Sequence, residues 1–302
     1  MFHLGSVLKQ AGYRFTTVSP ATHERVNRRN ENQWGNNLTD VFGWSRPFHP
    51  QAIPPDVLAC MDLSNDCDPH EDGYKSKVRF STLDDLLFVH SAFPTLRNDS
   101  VFFGPDTYRF ALALKDLLGR GIKYNRIVDL GCGAGPGAIL AALANPQAEV
   151  IASDINGLAL HHTQENARLA GATNLVAIES DLFNQLDGDF DLIIANPPFI
   201  LDPLERAYRH GGGLYGSEFS FRIVREALFR LRAGGTLLLY TGHVFVNNRS
   251  PFLTALEELL EMEGAFASVR EVDPDIFGEE LDSAAYSQAE RIAAVVLEIR
   301  RS

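Results

Sequence analysis

Residues 127–135 read IVDLGCGAG, an apolar run that ends in an acidic residue and continues into a glycine-rich turn. A strand, such a turn and a helix form a place where the backbone closely approaches a nucleotide-like ligand, because glycine has no Cβ to clash. Residues 196–199 read NPPF and directly follow a second apolar run, 190–195. This element places amide and carbonyl acceptors beside an aromatic ring, which suits catalysis on a nitrogen.

Strand-like and helix-like runs alternate from about residue 122 onward, which predicts an α/β fold with a seven-stranded, doubly wound, mostly parallel sheet. The expected strands span 126–130, 149–153, 175–179, 190–195, 236–240, 266–272 and 292–299, and the expected helices span 105–119, 136–144, 157–170, 217–232 and 251–262. In such sheets ligands bind beyond the carboxyl ends of the strands where the strand order reverses. The glycine turn and the NPPF element are therefore expected to face one crevice.

The first hundred residues have a different character, with prolines at 47, 50, 54 and 55 and scattered aromatic residues. They predict a smaller N-terminal α+β cap (residues 1–100) that precedes a catalytic domain (residues 101–302). Short strands are expected at 76–81 and 86–90, and the polar stretch 64–73 is expected to be an exposed loop. We expect the cap to close over the crevice, because its aromatic residues are too few to build a large separate core.

Composition excludes several classes of protein. The three cysteines, at 60, 67 and 132, fit neither a disulfide framework nor a zinc pattern, so no metal is expected. No signal peptide and no stretch of 18 apolar residues is evident, which predicts a cytoplasmic protein without a membrane association. The formal charge of −12 argues against a large contribution from phosphate binding, so nucleic acid is not expected as the partner. The oligomeric state stays open.

The motifs together resemble those of the class I S-adenosylmethionine-dependent methyltransferases, and within that class the glutamine-N5 and adenine-N6 enzymes with an Asn-Pro-Pro-aromatic motif. The resemblance runs from about Phe102 to Arg300 and implies a Rossmann-like fold with S-adenosyl-L-methionine as the cofactor. It implies catalytic roles for Asn196, Pro197 and Phe199, and cofactor-binding roles for Thr107, Asp129, Gly131, Gly133, Gly135, Asp154, Asp181, Leu182 and Asn196.

Two details of the resemblance affect what it implies. Phe199 occupies the place where tyrosine is commoner, and residues 1–100 do not resemble the helical recognition domain of release-factor methyltransferases, so no substrate is carried over. Asp154 ends the second predicted strand, where an acid would bridge ribose hydroxyls. The alternative for Asp154 is the N-cap of the following helix.

The leading hypothesis is methyl transfer to a nitrogen of a small molecule, peptide or protein side chain. Asn196 and the Pro197 carbonyl would accept the N–H groups of that nitrogen and orient its lone pair, and Phe199 would stack on a planar group or lie near the sulfonium. An alternative is a cyclase similar to azetidine-2-carboxylate synthases, which releases methylthioadenosine. A third possibility is a non-catalytic protein that binds the cofactor.

Overall fold

The computed structural model describes residues 1–202, 206 and 208–301. Its helices are Phe2–Gln10 (α1), Pro20–Asn27 (α2), Leu38–Phe42 (α3), Pro55–Ala59 (α4), Leu63–Asp66 (α5), Pro105–Leu118 (α6), Pro136–Ala144 (α7), Gly157–Ala170 (α8), Glu218–Arg230 (α9) and Pro251–Glu263 (α10). Its strands are Cys67–His70 (β1), Gly73–Ser76 (β2), Val78–Leu83 (β3), Leu86–Ser91 (β4), Arg126–Leu130 (β5), Glu149–Asp154 (β6), Leu175–Glu179 (β7), Phe190–Ala195 (β8), Leu231–Phe245 (β9), Phe266–Asp273 (β10) and Arg291–Arg300 (β11).

Seven of the strands form one sheet in the order β10-β11-β9-β8-β5-β6-β7. The five strands from β7 to β9 are parallel, whereas β11 runs antiparallel to both of its neighbours. The predicted seven-stranded, mostly parallel sheet is therefore confirmed. The strand order reverses between β5 and β8, which are direct neighbours.

Local sequence signals mark the start of three helices and the end of a fourth, whereas α9 ends at Arg230, before the expected residue 232. Proline occupies the first helical position of α6, α7 and α10, where its missing N–H costs no hydrogen bond. Gly171 ends α8 in the left-handed conformation, with φ of 74°, which favours glycine. Strand β9 is longer than predicted at both ends. It begins at Leu231, inside the expected helix 217–232, and beyond residue 240 the buried polar residues Thr241 and His243 continue its pairing with β11.

The N-terminal cap contains two β-hairpins, β1–β2 and β3–β4, and short helices. Strands β3 and β4 agree with the sequence prediction. The expected loop at 64–73 is wrong: Cys67 is buried and opens a strand that pairs with β2, while the polar residues Asp68 and Glu71 stay exposed. The cap also has its own hydrophobic cluster, which includes Leu4, Leu8, Phe42, Phe48 and Phe80, so its core is larger than the aromatic count indicated.

Asn166 of α8 joins the cap to the sheet domain. Its Oδ1 accepts the backbone N–H of Val89 at 2.7 Å, and its Nδ2 donates to the carbonyls of Val89 at 3.0 Å and Ala134 at 2.9 Å. The side chain is fully buried. One amide therefore connects cap strand β4 to the glycine-rich turn.

We expect Asn166→Ala to lower the free energy of unfolding by about 2–4 kcal/mol, because it leaves three backbone groups without a partner in a buried place. Chemical denaturation measures this loss. Gln164→Ala, at an exposed position of the same helix, is the control and should change stability by less than about 0.5 kcal/mol. Equal stabilities of the two variants would contradict the connection that we assign to Asn166.

Candidate active site

The glycine-rich turn and the NPPF element leave the sheet from adjacent strand ends. Leu130, the last residue of β5, lies beside Ala195, the last residue of β8. Both segments line one cavity of about 440 Å³ at this edge of the sheet. The sequence-predicted site residues that line it are Thr107, Asp129, Gly131, Gly133, Asp154, Asp181, Leu182, Asn196, Pro197 and Phe199.

The backbone of the turn faces open space at two of its three glycines. Gly131 and Gly133 have φ of 66° and 56°, and a Cβ on either would have no atom within 4 Å. Gly135, with φ of 80°, precedes α7 and packs against Thr163 instead, and it does not line the cavity. The positive φ at all three positions favours glycine, but only Gly131 and Gly133 leave room for a ligand.

Asp154, the last residue of β6, fixes the glycine-rich turn through hydrogen bonds. Its Oδ2 accepts the N–H of Gly133 at 2.9 Å and its Oδ1 accepts the N–H of Asn156 at 2.9 Å. The alternative role of N-cap is taken by Asn156, whose side chain accepts the N–H of Leu158. Burial raises the pKa of Asp154 above its usual value.

Asp129 lies beneath the turn and is only 2% exposed. Its Oδ2 accepts the N–H of Ala138, in the first turn of α7, at 2.8 Å. Burial raises the pKa of Asp129 to about 7, with a further contribution from the charge of Asp154. A cationic ligand in the cavity would stabilise the ionised carboxylate and so offset the cost of burying its charge.

The raised pKa of Asp129 predicts a pH-dependent stability of the ligand-free protein. The protonated carboxyl stabilises the fold fully below its unfolded pKa of about 3.9, and this contribution disappears as the pH rises through the folded pKa. We expect Asp129→Asn to raise the melting temperature relative to wild type by more at about pH 8 than at about pH 5. Scanning calorimetry at both values checks this, with the exposed Asp187→Asn as background. A difference independent of pH would contradict it.

Phe199 is held in the cavity wall by aromatic contacts. Its ring packs edge-on against Tyr240 at 6.2 Å and Phe277 at 5.8 Å between centroids. The ring also covers Gly242 of β9, where a Cβ would overlap it. Asn196 is half-buried, and its side chain makes no hydrogen bond to any described residue. Its amide is therefore available to a ligand.

The remaining predicted residues already have partners in the wall. Asp181 accepts Arg222 at 3.0 Å, and Leu182 is buried with φ of 48°. The hydroxyl of Thr107 accepts the N–H of Gly104 at 3.2 Å, so it caps α6 while it lines the cavity.

The rim of the cavity includes Phe102, Tyr208 and residues of the cap. Phe102 stacks on Tyr208 with ring centroids 6.3 Å apart, and the Tyr208 hydroxyl donates to the carbonyl of Thr95 in the cap at 2.6 Å. Pro20 and Ser100 of the cap also line the cavity. The cap therefore contributes directly to the site.

The cavity has a net acidic lining. It contains the carboxylates of Asp106, Asp129, Asp154 and Asp181, against the guanidinium groups of Arg209 and Arg222. Both arginines already pair with acids, Arg209 with Glu280 and Arg222 with Asp181 and Glu226. This balance fits a positively charged ligand such as a sulfonium.

A family model described as "Methyltransferase small domain" matches residues 111–272. The chain belongs to this family. The match agrees with the enzyme class and the cofactor expected from the sequence motifs, a methyltransferase that uses S-adenosylmethionine. Within the described residues, no helix has the length and apolar character needed to cross a membrane.

Two curated relatives and one solved structure show the range of similarity. The ribosomal RNA small subunit methyltransferase C of Haemophilus influenzae is 35% identical over 64% of this chain and 56% of its own length. The release factor glutamine methyltransferase of Deinococcus radiodurans is 38% identical over 42% of this chain and 49% of its own. The chain therefore spans about half the length of these relatives. M. jannaschii TYW2 in complex with AdoMet shares the fold, with a TM-score of 0.50 and 14% identity over 75% of this chain and 87% of that one.

Proposed function

We propose that this methyltransferase transfers a methyl group to a nitrogen, and that Asn196 orients that nitrogen. The observation that carries the proposal is the unpaired Asn196 amide at the end of β8, in the same cavity as the open glycine turn. When bound, the cofactor supplies an activated methyl group, so the protein needs to position the acceptor rather than generate a strong nucleophile. Asn196 Oδ1 and the Pro197 carbonyl would accept N–H bonds and direct the lone pair.

We assign the cofactor's parts to the lining residues by their place in the fold. Asp154, at the end of β6, would accept ribose hydroxyls, and Asp181 with Leu182 would flank the adenine. Gly131 and Gly133 leave space for the ribose and the methionine arm. The family resemblance implies that Thr107 lies near that arm, and the ring of Phe199 would attract the sulfonium.

The acceptor we favour carries a planar nitrogen, as an amide or an exocyclic amino group does. The relatives bear the names of glutamine and ribosomal RNA methyltransferases, so nucleic acid stands as a candidate acceptor against the expectation from net charge. That charge is unevenly distributed: residues 1–100 contain 10 Lys and Arg against 12 Asp and Glu, and residues 101–302 contain 17 against 27. We propose that residues 1–100 form the substrate domain and residues 101–302 the catalytic domain.

Product analysis tests the reaction. The enzyme is incubated with the cofactor and, separately, glutamine-containing peptides, RNA and amine-bearing small molecules. Methyl transfer gives S-adenosylhomocysteine in amounts that depend on the acceptor. The cyclase alternative gives methylthioadenosine without any acceptor, and the aromatic rim formed by Phe102, Tyr208 and Phe277 favours it as the second candidate. Methylthioadenosine as the main product would overturn our proposal.

A further inference from the structure

Asp106 places a carboxylate in the cavity wall with one oxygen unused. It is the second residue of α6 and is 7% exposed. Its Oδ1 accepts both the hydroxyl of Tyr240 at 2.6 Å and the guanidinium of Arg109 at 3.1 Å. Its Oδ2 makes no hydrogen bond to a described residue and is not sealed from solvent. Asp106 lines the cavity, and this oxygen is the one that the protein leaves without a donor.

The charge around Asp106 is not balanced by the protein. Arg109 also donates to Asp273 at 2.7 Å, so one guanidinium group pairs with two carboxylates. With both acids ionised, these three side chains carry a net negative charge, and Asp106 is the one that lines the cavity. A buried carboxylate with a free oxygen is costly unless a donor, preferably a cation, pairs with it.

Tyr240 connects Asp106 to the NPPF element. The hydroxyl of this tyrosine reaches Asp106, while its ring packs on Phe199. The carboxylate is therefore separated from the Phe199 ring by a single side chain. Asp106 and Phe199 both line the same cavity.

We propose that Asp106 Oδ2 is the acceptor for an amine nitrogen bound in this cavity. Two groups can supply such a nitrogen: the α-ammonium of the cofactor's amino acid arm, or an amine of the acceptor. The first source depends only on cofactor binding, whereas the second rests on the proposed nitrogen methylation. An ammonium presents several N–H donors and a positive charge, which satisfies both the free oxygen and the charge surplus.

Asp106→Asn tests the proposal, because asparagine keeps the shape and still accepts the Tyr240 hydroxyl. Calorimetry compares the affinities of S-adenosylhomocysteine, which has the α-ammonium, and methylthioadenosine, which lacks the amino acid arm. If the cofactor supplies the nitrogen, S-adenosylhomocysteine binding weakens roughly 10- to 100-fold while methylthioadenosine binding changes less than about twofold. The control is Asp116→Asn, the same change on an exposed part of α6, which should alter neither affinity.

The acceptor as the source gives a different result. Both affinities then stay within about twofold, and the KM for the acceptor rises at least about 10-fold while the melting temperature is unchanged. Unchanged affinities together with unchanged steady-state kinetics would overturn the proposal. Equal weakening of both ligands with a lower melting temperature would also overturn it, since that result indicates a purely structural carboxylate. Ligand binding is measured without methyl transfer, so the first arm stays decisive even if nitrogen methylation fails.

Discussion

Replacing Asn196 with alanine is expected to lower turnover by roughly 100- to 1000-fold, the range typical of a lost positioning or charge-stabilising contact in an active site. The amide has no partner among the described residues, so its loss leaves no buried group unpaired and should not disturb the fold. Cofactor affinity should change by less than about threefold, because the contact we assign to Asn196 is made with the acceptor. Steady-state kinetics and calorimetry measure the two effects separately.

Two further variants sharpen the test. Asn196→Asp should also fail, because a carboxylate there can pair with the sulfonium and stabilise the ground state rather than the transition state. Asn184→Ala, at an exposed position, should behave as wild type. Near-wild-type turnover in Asn196→Ala would remove the NPPF element from the mechanism. Methylthioadenosine quantified in the same assays shows whether the residual activity is cyclisation.

Local signals predicted the parts of the fold that depend on neighbouring residues. Helices α7 and α8 match the prediction to the residue because a proline starts one and a glycine in the left-handed region ends the other. The adjacency of β5 and β8 followed from the usual winding of such sheets. The lining residues that follow the strand ends could therefore be predicted from the sequence, while their roles stay predictions.

Contacts between residues that are far apart in the chain could not be predicted from the sequence. Asp106 is held in the site by a hydrogen bond from Tyr240, which lies 134 positions later in the chain. No local sequence pattern indicates that pairing. Tyr208 meets Thr95 across 113 positions in the same way. The β1–β2 hairpin was missed for a different reason: its exposed residues are polar, and only Cys67, Gly73 and Ser76 are buried, at its ends, so alternation is too weak to indicate a strand.

Gly133→Val is expected to abolish measurable cofactor binding, with a loss of at least roughly 100-fold in affinity. A side chain at this position meets no protein atom, so it would extend into the open space of the cavity, where we place the cofactor. The Gly133 N–H also donates to Asp154, and a shift of the strained backbone would weaken that bond. Both effects act against the ligand. Calorimetric titration with S-adenosylhomocysteine measures the loss.

Backbone strain alone must be separated from obstruction of the cavity. Gly121 provides a matched control, because it also has a positive φ, 77°, and open space around its Cβ position, but it does not line the cavity. Gly121→Val should therefore lower the melting temperature by a similar amount through the same conformational penalty and leave cofactor affinity within about twofold of wild type. If the two variants lost affinity equally, strain would account for the effect and Gly133 would not face the cofactor. If only Gly133→Val lost it, the open side of the turn is the surface that the cofactor occupies.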